Sequence, residues 1–303
     1  MPLPVSPREK RNAKPSATKT RPKRIGMTIA IASRATTGVL LYADKKIIAS
    51  DGATTEGCKI YRRRLPDDGF IALASAADDA VASEALAIDL MAHANGVQDQ
   101  SMIWGAIQQA MVRWCEPYPP NELPSIQYLM ALRTSNIARL YLLQLRNQIV
   151  PVSVKRAIGA GSRIVDAMLD DVLPDDFIFH PKVALFNMAY MARKAKDSES
   201  SVGGGSRSNA IFIPHRGSAH WVNEIELFSA EEHAALVDDE LNHIRMLIMG
   251  LGTIGPVERM AEGYKNLIVT MANSYAESVQ FPSLDDDSNE ATLSEPETSE
   301  DQP

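Results

Sequence analysis

The 303-residue chain, 45% hydrophobic and 23% charged, is long enough for one large domain or two small ones with a core of ordinary size. Residues 1–26 carry eight basic side chains against Glu9 alone, and residues 283–303 carry eight acidic ones and no basic one. Setting aside the head's +7 and the tail's −8, the net −7 leaves −6 on the body, which argues against nucleic-acid binding there. No apolar run approaches the ~18 residues of a bilayer span, and the basic N-terminus lacks the apolar centre of a secretory signal. Cys58 and Cys115 are too few for a disulfide framework or a zinc cluster, so the expected setting is a reduced cytoplasm.

In chain order, the proline-rich head 1–26 reads as disordered. Thr28–Ser33 and Gly38–Asp44 follow as strands joined by the turn Arg34–Thr37. Ile47–Ser50 leads into the turn signal Asp51-Gly52, and Phe70–Ala74 is a further strand. Asp78–Asn95 predicts a helix with Val81, Leu86, Ile88 and Leu90 on one period, behind acidic residues suited to its dipole. Asp99–Trp114 continues as helix until Pro117, Pro119 and Pro120 block it. Ile126–Arg133, Ile137–Arg146 and Val150–Val154 have strand patterning at hairpin spacing. Ser162–Leu173 and Pro181–Lys196 form a second helical pair, Asn209–Pro214 and Ala219–Ile225 return to strand, and Ala230–Met249 and Val257–Val279 are a last helical pair. Strands in blocks, without βαβ alternation, predict an α+β fold of antiparallel sheets with helices on their outer faces.

Several stretches together resemble a family. Met27-Thr28-Ile-Ala-Ile-Ala and Gly38-Val-Leu-Leu-Tyr-Ala-Asp44-Lys-Lys resemble the opening of proteasome β-type subunits and their HslV-like bacterial and phage relatives. The likeness continues through Cys58-Lys59-Ile60, Ala72-Leu-Ala-Ser-Ala-Ala-Asp78-Asp79-Ala80, Ile158-Gly-Ala-Gly-Ser162 and Asp197-Ser-Glu-Ser200, and spans roughly residues 27–225. It implies an N-terminal nucleophile hydrolase with a four-layer αββα sandwich and an additional C-terminal helical pair. The divisions expected are a head or propeptide 1–26, a hydrolase domain 27–227, a helical extension 228–282 and a disordered acidic tail 283–303.

The resemblance also implies a threonine-type endopeptidase. A threonine hydroxyl is a poor nucleophile at neutral pH and needs a base beside it. In this family the base is the threonine's own α-amine, with a reference pKa of ~8. Removal of everything through Met27, by propeptide cleavage or by translation from Met27 and methionine trimming, exposes Thr28. Asp44, sixteen residues on, and Lys59, thirty-one on, match the acid and lysine that support the nucleophile. Asp197 and Ser200 match a pair that orients the amine, with Ser162 a further amine-orienting residue. The backbone N–H near Ala74 or Ser75 supplies the oxyanion hole, typically ~3 kcal/mol of transition-state stabilisation. The family pattern is broken at Ala160, at Ile48, by the insertion Ser201–Ser206, and by the lack of an oxyanion glycine.

The same resemblance implies peptide or unfolded-protein substrates, a homo-oligomeric ring, no cofactor, no nucleic acid or membrane, and an ATPase partner by analogy only. A non-catalytic assembly protein and an amidase for small amides are the alternatives. A second register, with Asp51-Gly-Ala-Thr54 as the aspartate turn, makes Thr36 or Thr37 the nucleophile; it places Lys59 eight positions after Asp51, about half the family span. Outside this constellation the residues have ordinary readings. Cys58 is expected as a buried inert thiol. His215 and His220 lack a third metal ligand. Met246–Met249 reads as packing.

Overall fold

A computed structural model describes residues 29–48, 53–97, 99–119, 122–145, 148–172, 178–198, 208–250 and 269–270. Thr28, the head, the acidic tail, Asp51, Ser200 and most of Val257–Val279 lie outside the described residues; Val269–Thr270 are helical.

The chain begins with an antiparallel hairpin, β1 (Ile29–Ala35) and β2 (Gly38–Asp44), in the order its hydrophobic runs predict. β3 (Lys46–Ile48) and β4 (Thr54–Glu56) make a two-stranded ribbon. β5 (Ile60–Arg64) and β6 (Phe70–Ala77) follow, then α1 (Ala80–Asn95) and α2 (Ile103–Cys115). β7 (Ile126–Thr134), β8 (Ile137–Gln144), β9 (Gln148–Pro151) and β10 (Lys155–Gly159) precede α3 (Ser162–Val172) and α4 (Pro181–Ser198). β11 (Ser208–Pro214), β12 (His220–Trp221) and α5 (Glu224–Gly250) complete the set. One five-stranded sheet runs β10-β1-β2-β11-β12 and the other β5-β6-β7-β8-β9; every strand pairing within them is antiparallel.

Period-two alternation decides where each face goes. Along β1, Ile29 and Ile31 join a core with Phe186 and Met188 of α4 and Leu227 and Ala234 of α5. Ala30 and Ala32, between them, join a second core with Ala72 and Ala74 of β6 and Leu129 of β7. A third core sets Ile71 and Leu73 of β6 against Leu86 and Leu90 of α1 and Ile107 of α2. Both faces of β1, β2 and β6 are therefore covered, which explains why these strands read as near-continuous apolar runs. The architecture is mixed α+β, with three antiparallel sheets and five α-helices among the described residues.

Local chemistry sets the joints. Asp79 caps α1, its carboxylate accepting the N–H groups of Val81 and Ala82 at 3.0 Å. Ser135 and Asn136 both have positive φ (51° and 61°) in the two-residue turn between β7 and β8, the conformation that matches strand twist.

Several expectations are corrected. Val81 and Ile88 are 57% and 54% exposed, because only the Leu86–Leu90 side of α1 faces β6. Lys59-Ile60 leads into a strand, β5, that the basic run Arg62-Arg63-Arg64 had obscured. Of Val150–Val154 only Val150 and Pro151 are strand, at the end of β9; residues 152–154 connect to β10, which belongs to the other sheet. Ala219–Ile225 is a strand only at His220–Trp221, because Asn223 caps a helix there: its side chain accepts the Ile225 N–H and its carbonyl the Leu227 N–H, both at 2.9 Å. The helix expected from Ala230 thus begins at Glu224, and the division expected at 227/228 falls inside α5. Leu227, Ala230, Ala234, Val237 and Leu241 of α5 pack in the core of the first sheet, so this helix is no appendage.

Candidate active site

Four elements meet where β1 begins. Ile29 pairs with Gly159 at the end of β10, which brings the turn leading to Ser162 beside it. Asp44, the last residue of β2, stands next to Ile29 and is only 1% exposed; its Oδ1 accepts the Ile29 N–H at 3.2 Å. Ser208, at the start of β11, lies opposite Asp44 in the ladder. The β3–β4 ribbon then returns the chain: Lys46 pairs with Glu56, and the Gly57 N–H donates to the Lys45 carbonyl at 2.9 Å. That return carries Lys59 back to Asp44.

Lys59 is 6% exposed. Its ammonium lies 2.8 Å from Asp44 Oδ1 and also donates to the Lys46 carbonyl. Burial lowers the Lys59 pKa; Asp44 pulls it back up, and the charges of Lys46 and Lys196 push it down further. The result is an ammonium held on a buried carboxylate yet closer than usual to releasing its proton. Lys196 belongs to the C-terminal turn of α4, and its charge is felt at Lys59. Asp197, one residue on, is exposed on that turn. Ser162 opens α3 and is half-buried, after Gly159 with its φ of 98° and the exposed Ala160.

Ala74 and Ser75 lie in β6, both buried. The Ser75 N–H donates to the Lys59 carbonyl at 2.9 Å and is engaged within the sheet. Alternation along an antiparallel strand turns the Ala77 N–H to the same edge of β6, and Asp78, with its N–H on the Ser125 carbonyl at 3.1 Å, keeps that alternation.

A recess of about 340 Å³ opens beside Lys59, lined by Cys58, Tyr61, Ser75, Ala77, Ser83 and Glu84 among others. Cys58 is exposed there, contrary to the expected buried thiol: its neighbour Lys59 takes the inward position at the end of the ribbon. The Tyr61 phenol, hydrogen-bonded to the Ser75 side chain, is pushed up to about 12, first by burial and then by the Glu84 charge. Tyr61 was missed together with β5 itself; alternation counted from Lys59, which puts residues 59 and 61 on one side, is the signal that could have found it. Ser83 and Glu84 carried no such signal, because nothing in the pattern of α1 says which of its residues border β5.

Thr36 and Thr37 form the β1–β2 turn, so the length of β1, roughly 20 Å, separates them from Lys59, the lysine of the alternative register; Asp51, its aspartate, lies outside the described residues. His215 serves the fold: its Nδ1 accepts the Ala138 N–H at 3.0 Å. His220 Nδ1 lies 3.2 Å from the Ser218 carbonyl, and no group of three or more metal-binding side chains occurs among the described residues. No helix among them is long and apolar enough to cross a membrane.

No family model matches the chain, and no curated protein matches it. Solved structures do. Anbu (ancestral beta-subunit) from Yersinia bercovieri superposes with a TM-score of 0.58 at 11% identity, covering 75% of this chain and 99% of that one. Anbu from Hyphomicrobium sp. strain MC1 gives 0.56 at 15%, covering 72% and 97%. A helical assembly of the Anbu complex from Pseudomonas aeruginosa gives 0.52 at 13%, covering 71% and 96%. These findings correct the resemblance to proteasome β-type and HslV-like subunits: the similar structures are Anbu proteins, and at these identities the likeness is one of fold. Short strand-and-turn motifs in the right order follow from a shared architecture, so they could not separate one lineage within it from another. The chain has the fold seen in Anbu, the ancestral β-subunit.

Proposed function

We propose that this chain is an N-terminal threonine hydrolase that cleaves peptide bonds, with Thr28 as the nucleophile. One observation carries the reading: the buried Asp44–Lys59 pair meets the N–H of Ile29, the residue peptide-bonded to Thr28. A buried ion pair is an expensive arrangement for a strand end, and its place beside the first residue of a mature chain gives it work to do. The three cores, read as helices, sheet, sheet and helices, support a four-layer αββα sandwich with this centre at one end.

In the proposed chemistry the Thr28 amine, free once the chain starts there, takes the hydroxyl proton as Oγ attacks the peptide carbonyl. The Lys59 ammonium lowers the cost of negative charge on Oγ, and Asp44 holds the ammonium in place. The amine passes the proton to the departing amino group as the C–N bond breaks, leaving an ester on Thr28. A water deprotonated by the same amine then hydrolyses the ester and releases the carboxylic acid product. Asp197, Ser200 and Ser162 orient the amine in this scheme. With the Ser75 N–H engaged, the backbone donor to the oxyanion on that edge of β6 is the Ala77 N–H, which borders the recess.

The test is the intact mass and N-terminal sequence of the purified protein, together with labelling by a threonine-directed electrophile. Chains beginning at Thr28, labelled there and inactive as Thr28→Ala, are the expected result. Chains that retain Met27, or labelling unaffected by Thr28→Ala, overturn the proposal. A second reading, a non-catalytic assembly protein, draws on the engaged Ser75 N–H and on Ile225, Phe228 and Leu236, exposed on α5 by 76%, 59% and 59%. Homo-oligomer formation through that helix fits both readings, and the size of the assembly in solution tests it.

A further inference from the structure

We infer that Glu84 makes the recess beside Lys59 selective for a cationic side chain, so that the peptides turned over best carry Lys or Arg immediately before the scissile bond. This inference rests on the reading of Thr28 as nucleophile.

The recess has two kinds of wall. Ile47, Ala77 and Val81 offer apolar surface to the methylene stem of a long side chain. Tyr61 and Ser75 offer hydroxyls, the Ser83 hydroxyl donates to Tyr128 behind the lining, and Glu84, on the first turns of α1, supplies a carboxylate at the exposed rim. Lys59 also borders the space, but its charge is matched by Asp44 at 2.8 Å, and Asp79 occupies the N-cap of α1, offsetting the positive end of that helix. Glu84 is therefore the lining charge that an entering side chain meets without a bonded counter-ion lining the same recess. The Tyr61 phenol feels that charge and, pushed up to about 12, remains a neutral donor and acceptor throughout the physiological range. A stem along the apolar wall with its cation at Glu84 satisfies both walls. An aspartate there meets like charge, and a leucine leaves the carboxylate without a partner from the substrate.

The experiment compares kcat/KM for fluorogenic peptides with Arg, Leu or Asp before the cleaved bond, in the parent and in Glu84→Gln and Glu84→Lys. Thr28 labelling by a small electrophile without a side chain is followed in parallel. The Arg:Leu ratio should exceed one in the parent, fall on the order of tenfold in Glu84→Gln, and drop further in Glu84→Lys, which gains on the Asp peptide. Residue 84 is exposed, so both variants should fold, and thermal melting checks this. Persistent Thr28 labelling with an Arg:Leu ratio at or below one, or a ratio indifferent to both substitutions, overturns the role of Glu84 alone. Absence of both turnover and labelling overturns the nucleophile reading and this inference with it.

Discussion

Replacing Lys59 by Met keeps most of the side chain's length and apolar bulk but removes the ammonium 2.8 Å from Asp44 Oδ1. The carboxylate is then left 1% exposed, keeping the Ile29 N–H at 3.2 Å but losing its counter-charge. Breaking a buried pair from one side costs about 3–5 kcal/mol. The low end, about 3 kcal/mol, is expected here, because the substitution also relieves the burial that already lowers the Lys59 pKa. Asp44→Asn with Lys59→Met removes both charges, and should recover most of that loss. Urea unfolding at neutral pH measures all three proteins. A loss below about 1 kcal/mol for the single variant, or a double variant no more stable than the single one, would refute the claim that the buried carboxylate depends on Lys59.

Three further outcomes follow from other parts of the molecule. Arg133, 6% exposed, donates to the carbonyls of Asp68, Pro214 and Gly217 and so ties the β5–β6 turn to the β11–β12 turn; Arg133→Met should cost about 2–4 kcal/mol in urea unfolding while threonine labelling at the other end of the sheets persists. Gly38 lies against β11 so closely that a Cβ would meet the Pro214 Cα at 2.7 Å, backbone that cannot step aside, so Gly38→Ala should cost more than about 2 kcal/mol in the same assay. Tyr61, raised to about 12 against ~10 when unfolded, makes the unfolded chain lose its proton first. Its contribution to stability is therefore complete below pH ~10 and declines between ~10 and ~12; Tyr61→Phe should show a shallower alkaline decline in thermal melting, and an unchanged slope contradicts the shift.

The sequence carries the order of the principal elements and the antiparallel class, because alternation and helical period are local properties of residues such as Ile29–Ala32 and Leu86–Leu90. It also singled out Asp44 and Lys59, through spacing within a resemblance, although the lineage named by that resemblance was corrected. The rest came with the packed fold. It settled that the β3–β4 ribbon returns Lys59 to Asp44, that the Thr36–Thr37 turn stands at the far end of the same hairpin, and that Cys58 faces outward. It also engaged the Ser75 N–H with a carbonyl and placed Ser83 and Glu84 beside Tyr61. Each of these depends on register and on packing between segments distant in the chain, and a local pattern carries no information about which distant partner a strand edge or helix face will meet.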